Sequence, residues 1–228
     1  MNPLDRTALA QMIDHTLLDP TATQAHIEQL CQEARDHKFF SVCVGPRWVA
    51  LTSDHLSDCP VKIATVTGFP LGFETTEVKT QQAKAAIFDG ADEIDMVADL
   101  AAILEQNTRL LRQQFESVLK VCRHIRPAVT LKVTIEAAAL TDEQIALACD
   151  IAQQVGVDFV ATSTGFHQTG GASVKDIHLM KAQTVSCQVK ASGNIRTLDQ
   201  AMAMIEAGAT RLGTSASVAI INTLPQGT

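Results

Sequence analysis

Thr130-Leu131-Lys132-Val133-Thr134-Ile135-Glu136 decides the fold. Side chains alternate along a strand, so Lys132, Thr134 and Glu136 share one face while Leu131, Val133 and Ile135 share the other. With the apolar face against helices, the charged face points into a barrel. Glu93-Ile94-Asp95-Met96-Val97 and Gln188-Val189-Lys190-Ala191-Ser192 repeat the pattern. The same parity turns Asp95 inward with Val97, and Lys190 inward with Ser192. A parallel strand is covered on both faces and is expected to be almost wholly apolar. Burying one unpaired charge costs several kcal/mol. A lone inward Lys or Asp is often a structural ion pair. Three strands that each turn an ionisable group inward point instead to a paired network at the mouth where barrel active sites lie.

Outward from these three strands, further short β-branched runs alternate with amphipathic stretches. The others are Met12–Leu18, Phe40–Val44, Val61–Thr67, Phe159–Thr164 and Arg211–Ser215. Capping-box pairs open several helices: Thr21 with Gln24, Thr141 with Gln144, and Thr197 with Gln200. Asp89-Gly90-Ala91 and Ala207-Gly208-Ala209 end helices just before strands, with glycine free to take a left-handed cap. Strand–helix repetition implies parallel pairing with helices outside. The expected fold is α/β: a single-domain (β/α)8 TIM barrel over residues 1–228, with no linker or composition shift.

Composition narrows the function. The 228 residues are 46% hydrophobic, enough for one large core. A net charge of -7 without a basic run argues against nucleic acid. No apolar stretch approaches the ~20 residues of a membrane span, and Met1–Arg6 lacks a signal-peptide pattern. The six cysteines form no CxxC pair and suit reduced thiols in the cytoplasm. No Cys/His pair has zinc-ligand spacing, so no metal is expected. Tyrosine is absent and aromatics total 4%, leaving few platforms for bases or sugars.

Two further groups bear on chemistry. Ile13-Asp14-His15-Thr16-Leu17-Leu18 offers Asp14 and Thr16 to the site, while His15 reads as a core histidine. Small residues follow the last three strands: Ser163 to Gly165 with Gly170 and Gly171, Ser192-Gly193-Asn194, and Gly213-Thr214-Ser215. Backbone N–H groups there can approach a phosphate closely. The substrate- and phosphate-binding candidates are Asp14, Thr16, Cys43, Thr134, Ser163, Gly170, Gly171, Ser192, Gly193, Asn194 and Ser215.

Taken together, these stretches resemble the deoxyribose-phosphate aldolases. The resemblance spans nearly the whole chain and includes Thr67-Gly68-Phe69-Pro70-Leu71-Gly72 and Gly208-Ala209-Thr210-Arg211-Leu212-Gly213-Thr214-Ser215. It implies reversible cleavage of 2-deoxy-D-ribose 5-phosphate to glyceraldehyde 3-phosphate and acetaldehyde through a Schiff base, with no cofactor. It also implies a small-molecule partner, a sugar phosphate or aldehyde, and a possible homodimer. Asp95 matches the acid/base carboxylate, and Lys190 the second lysine, the cation that lowers the nucleophile's pKa.

The chain departs from the resemblance where it matters most. In Asp158-Phe159-Val160-Ala161-Thr162-Ser163-Thr164-Gly165-Phe166, Ala161 stands where the resemblance implies the Schiff-base lysine. Asn194 stands where a glycine is usual, and Gly45, Asp99, Ala137 and Ala138 also differ. Three readings follow. The chain is an aldolase-type protein impaired at its nucleophile, or a pocket repurposed by evolution or design, with Lys190 or Lys132 as the amine. The third reading is a non-catalytic sugar-phosphate-binding paralogue.

Overall fold

The computed structural model describes residues 5–125 and 127–225. Residues 1–4 and 226–228 lie outside the described residues, and part of the Met1–Arg6 reading falls there. The strands are β1 (Ile13–Leu17), β2 (Ser41–Val44), β3 (Lys62–Thr67), β4 (Glu93–Val97), β5 (Thr130–Thr134), β6 (Phe159–Ala161), β7 (Gln188–Ser192) and β8 (Arg211–Thr214). They close into one parallel barrel in sequence order, β8 pairing with β1. The helices are α1 (Arg6–Ala10), α2 (Gln24–His37), α3 (Val49–Leu56), α4 (Thr76–Phe88), α5 (Leu100–Leu104), α6 (Thr108–His124), α7 (Asp142–Val155), α8 (Val174–Gln183), α9 (Leu198–Glu206) and α10 (Ser217–Asn222).

The main core lies between strands and helices. Ile94, Met96, Leu131, Val133, Val189 and Leu212 leave the barrel wall to meet Ile27, Phe115, Ile145 and Ile177. Helix α6 illustrates the cause: Leu111, Phe115, Val118 and Cys122 recur at helical spacing and are fully buried. Asn107 caps it, accepting the Leu110 N–H at 3.1 Å. Truncating a buried phenylalanine such as Phe115 to alanine costs about 3–5 kcal/mol.

Three expected boundaries move. The box expected at Thr21 and Gln24 forms instead at Thr23 and His26, because Asp19 holds both the Thr21 N–H (2.7 Å) and its hydroxyl (2.6 Å) in a local turn. The strand expected over 159–164 ends at Ala161, and that over 130–136 at Thr134. Glu136 takes a left-handed conformation (φ 54°) and accepts the Thr164 N–H at 2.8 Å. Backbone bonds still join the two segments above the strands, Ile135 N–H to the Ala161 carbonyl at 3.1 Å and Ala137 N–H to the Thr162 carbonyl at 2.8 Å, and the Glu136 side chain adds to them. Both boxes at Thr141 and Thr197 form as expected, and Gly90 and Gly208 take positive φ.

All six cysteines are free, and all but Cys59 are buried. Burial pushes the Cys122 and Cys149 thiols up to about 12. Among the described residues, no helix is long and apolar enough to cross a membrane.

Candidate active site

In-register neighbours of a parallel sheet point to the same face. The pairing Thr134↔Ala161↔Lys190 therefore turns the Ala161 methyl into the barrel, between two inward side chains. Below this layer, Asp95 pairs in register with Lys132.

Three carboxylates and three cations fill the barrel's lower interior. Lys132 Nζ lies 2.6 Å from Glu93, 2.8 Å from Asp95 and 3.2 Å from Asp14. Lys190 Nζ lies 2.5 Å from Asp95 and 2.6 Å from Asp14. Arg211 closes the ring, 2.7 Å from Asp14 and 3.0 Å from Glu93. Its guanidinium stacks 3.6 Å from the Phe40 ring centroid. The Ser41 hydroxyl donates to Asp14 at 2.7 Å. The formal charges cancel, which is how six buried charges coexist without an uncompensated ion.

The ring fixes protonation. Burial opposes the charged form of Asp14, but Lys132, Lys190 and Arg211 outweigh it and hold the carboxyl well below its usual range. Asp95 is also lowered: burial is overcome by Lys132 and Lys190. Burial likewise pulls both lysines down. Asp14 and Asp95 win, holding Lys190 above its ordinary value and, with Glu93, Lys132 well above it. Both amines are ammonium ions at neutral pH.

Over this ring opens a cavity of about 380 Å³, within the range of small-molecule sites. Asp95 and Lys190 form its floor. Of the binding candidates, Thr16, Cys43, Thr134, Ser163, Ser192, Gly193, Asn194 and Ser215 line it. Asp14 and Lys132 do not; both are fully buried in the ring beneath. Ala161 is also fully buried and lies beside the cavity rather than in its exposed wall.

Gly170 and Gly171 do not line the cavity either. They back its wall: a Cβ on Gly171 would lie 2.3 Å from the Gly193 carbonyl oxygen, and Ala172 N–H donates to the Ser192 and Gly193 carbonyls at 3.1 and 3.2 Å. The Ser192 hydroxyl donates to the Ser163 carbonyl at 2.6 Å. The small-residue segments after β6, β7 and β8 therefore meet at one rim. Asn194 sits there at φ 62°, a conformation asparagine tolerates better than other non-glycine residues. The four other departures, Gly45, Asp99, Ala137 and Ala138, lie off the cavity: Asp99 caps α5, accepting the Ala102 N–H at 3.0 Å, and Ala137 is buried in the core. His15 faces α2, its Nε2 2.8 Å from Glu33, as expected of a core histidine.

Sequence reasoning missed several residues. Glu93 and Arg211 complete the ring, although the alternation that turned Asp95 inward also turns Glu93 inward. The opposite wall is apolar: Leu18 and Phe69 pack on Cys43 and Val66, and Phe166 meets Phe69 edge-on at 5.2 Å. Arg196 brings a cation to the small-residue rim. These loop positions have no period to betray them.

The fold and the amine–carboxylate floor define an α/β barrel with a small-molecule cavity set over a buried ionic ring. Residues 8–222 match the family model described as DeoC/LacD family aldolase. Similar proteins include the deoxyribose-phosphate aldolases of Carboxydothermus hydrogenoformans, 49% identical over 97% of both chains, and of Enterococcus faecalis, 48% identical over 94% of this chain and 96% of that one. Among solved structures, the deoxyribose phosphate aldolase of Aeropyrum pernix, described as a tetramer, superposes with a TM-score of 0.88 at 30% identity. The superposition covers 96% of this chain and 92% of that one. The chain belongs to the DeoC/LacD aldolase family.

Proposed function

We propose that this chain is a cytoplasmic deoxyribose-phosphate-aldolase-type barrel that retains a sugar-phosphate cavity but lacks the amine for the covalent step. Its cleavage of 2-deoxy-D-ribose 5-phosphate to glyceraldehyde 3-phosphate and acetaldehyde is accordingly very slow. The covalent route needs a neutral amine to add to the carbonyl carbon, losing water to give an iminium that accepts the electron pair of the breaking C–C bond. Position 161 would present that amine between Thr134 and Lys190; alanine has none to offer. Asp95, ionised on the floor, would serve as a base toward substrate through water. Arg196 and the rim of Ser192, Gly193, Asn194 and Ser215 would hold the phosphate.

The observation that carries this reading is the close carboxylate pairing of the two inward-facing lysines. Lys132 is sealed beneath the cavity by three carboxylates. Lys190 reaches the cavity but is pinned as an ammonium between Asp14 and Asp95. Neither offers a lone pair at neutral pH, which weighs against a repurposed pocket using either amine. Borohydride reduction in the presence of acetaldehyde, followed by intact mass and peptide mapping, tests this. The expected result is no adduct on either lysine, with millimolar deoxyribose 5-phosphate still raising the melting temperature. An adduct on Lys190 or Lys132, or turnover on the order of 1–1000 per second, would overturn the proposal.

A further inference from the structure

Lys79, on α4, lies outside both the ionic ring and the cavity, yet it is among the largest fully buried side chains. Its Nζ donates to three uncharged oxygens: the Gly72 carbonyl at 2.6 Å, the Val97 carbonyl at 2.9 Å and Gln114 Oε1 at 3.1 Å. These belong to the β3–α4 connection, the end of β4, and α6. One ammonium therefore ties three parts of the fold together.

The connection it holds is tightly fitted. Gly68 (φ 63°) lies on the lysine stem, where a Cβ would come 2.8 Å from Lys79 Cε. Gly72 (φ 74°) is pressed on β4's exit, where a Cβ would come 2.1 Å from the Ala98 carbonyl oxygen. Between these two glycines stands Phe69, which lines the cavity and carries the edge-on contact to Phe166 from the β6–α8 connection.

We infer that Lys79 is a positioning residue whose buried amine fixes the β3–α4 connection and so places the Phe69–Phe166 wall of the cavity. The inference rests on the proposed function only in taking that cavity as the substrate site. The charged groups facing Lys79 are Glu74 on the connection and Asp99 at the start of α5; Gln114 on α6 and the two carbonyls are neutral. Burial lowers the Lys79 pKa to about 8, against the pull of Asp99 and Glu74. The Phe69 environment is therefore expected to titrate in a range where no ordinary lysine does.

Two measurements on ligand-free protein test this, so that their failure is separate from failure of the proposed function. With 4-fluorophenylalanine incorporated, the Phe69 resonance, assigned by Phe69→Leu, is expected to shift with a midpoint at about 8. Phe159 on β6, which shares no hydrogen bond with Lys79 or its three partners, is the control and should stay flat. In Lys79→Met the Phe69 resonance is displaced at all pH values and no longer titrates, and hydrogen-exchange protection over residues 68–75 falls tenfold or more while α8 keeps its protection. A flat Phe69 resonance in the unmodified protein overturns the inference, as does unchanged protection over 68–75 in the variant. So does a loss spread evenly over the whole barrel. If Lys79→Met does not fold, the titration of the unmodified protein decides alone.

Discussion

Removing the Lys132 amine is the sharpest perturbation of the ring. In Lys132→Met the methionine fills similar volume, but Asp14, Glu93 and Asp95 are left with Lys190 and Arg211 alone. Three anions then face two cations in a buried site. Breaking a buried ion pair by deleting one partner costs about 3–5 kcal/mol. For a chain of this size each kcal/mol lowers Tm by roughly 2–4 °C, so a fall of about 10 °C is expected. The pH dependence separates charge imbalance from lost packing. In the unmodified protein Asp14 and Asp95 titrate below their ordinary values, so their stabilising contribution is present above the unfolded pKa and is lost as pH falls through the folded one. In the variant one carboxyl of the three is raised instead, and its protonation restores balance. The stability gap between the two proteins, measured by urea unfolding, should therefore be widest near pH 7 and shrink toward pH 4. A gap below about 1 kcal/mol at pH 7, or one independent of pH, would refute the reasoning.

Other outcomes follow from the same geometry. His15 has its pKa lowered by burial, with Glu33 opposing, so it favours folding above its unfolded pKa and stability drops as pH falls through 6.5. His15→Gln should flatten that limb of the Tm profile. Lys79 contributes with the same sign at higher pH: its folded pKa of about 8 against 10.5 unfolded means stability rises between those values, so the gap to Lys79→Met should widen from pH 8 to pH 10 in urea melts. Gly213→Ala would set a Cβ 2.9 Å from Lys190 Cε; because both carboxylates hold that side chain, the variant should lose about 1–3 kcal/mol in denaturant titrations.

The parts of the fold legible in the sequence were those governed by a period. Glu93–Val97 and Gln188–Ser192 were bounded to the residue because apolar alternation starts and stops with the strand. The inward turn of Asp95, Lys132 and Lys190 followed from parity alone. What escaped was set by competition between local bonds: Asp19 taking Thr21 from its expected cap, and Glu136 leaving the strand to hold Thr164. The apolar wall of Leu18, Phe69 and Phe166 escaped for a related reason, since loop side chains meet through tertiary placement that carries no spacing signal. Lys79 was hidden inside an ordinary helix pattern, where a lysine reads as a solvated residue until its surroundings are seen.

The central claim is that the barrel keeps the surroundings of an amine it no longer has. Ala161→Lys tests it directly: the new side chain would rise between Thr134 and Lys190, where burial and a neighbouring ammonium both favour the neutral, nucleophilic form. Cleavage of 2-deoxy-D-ribose 5-phosphate should increase by on the order of 1000-fold or more over the unmodified chain, with borohydride trapping the adduct on position 161. A folded Ala161→Lys protein that binds the sugar phosphate but neither cleaves it nor forms the adduct would contradict the account.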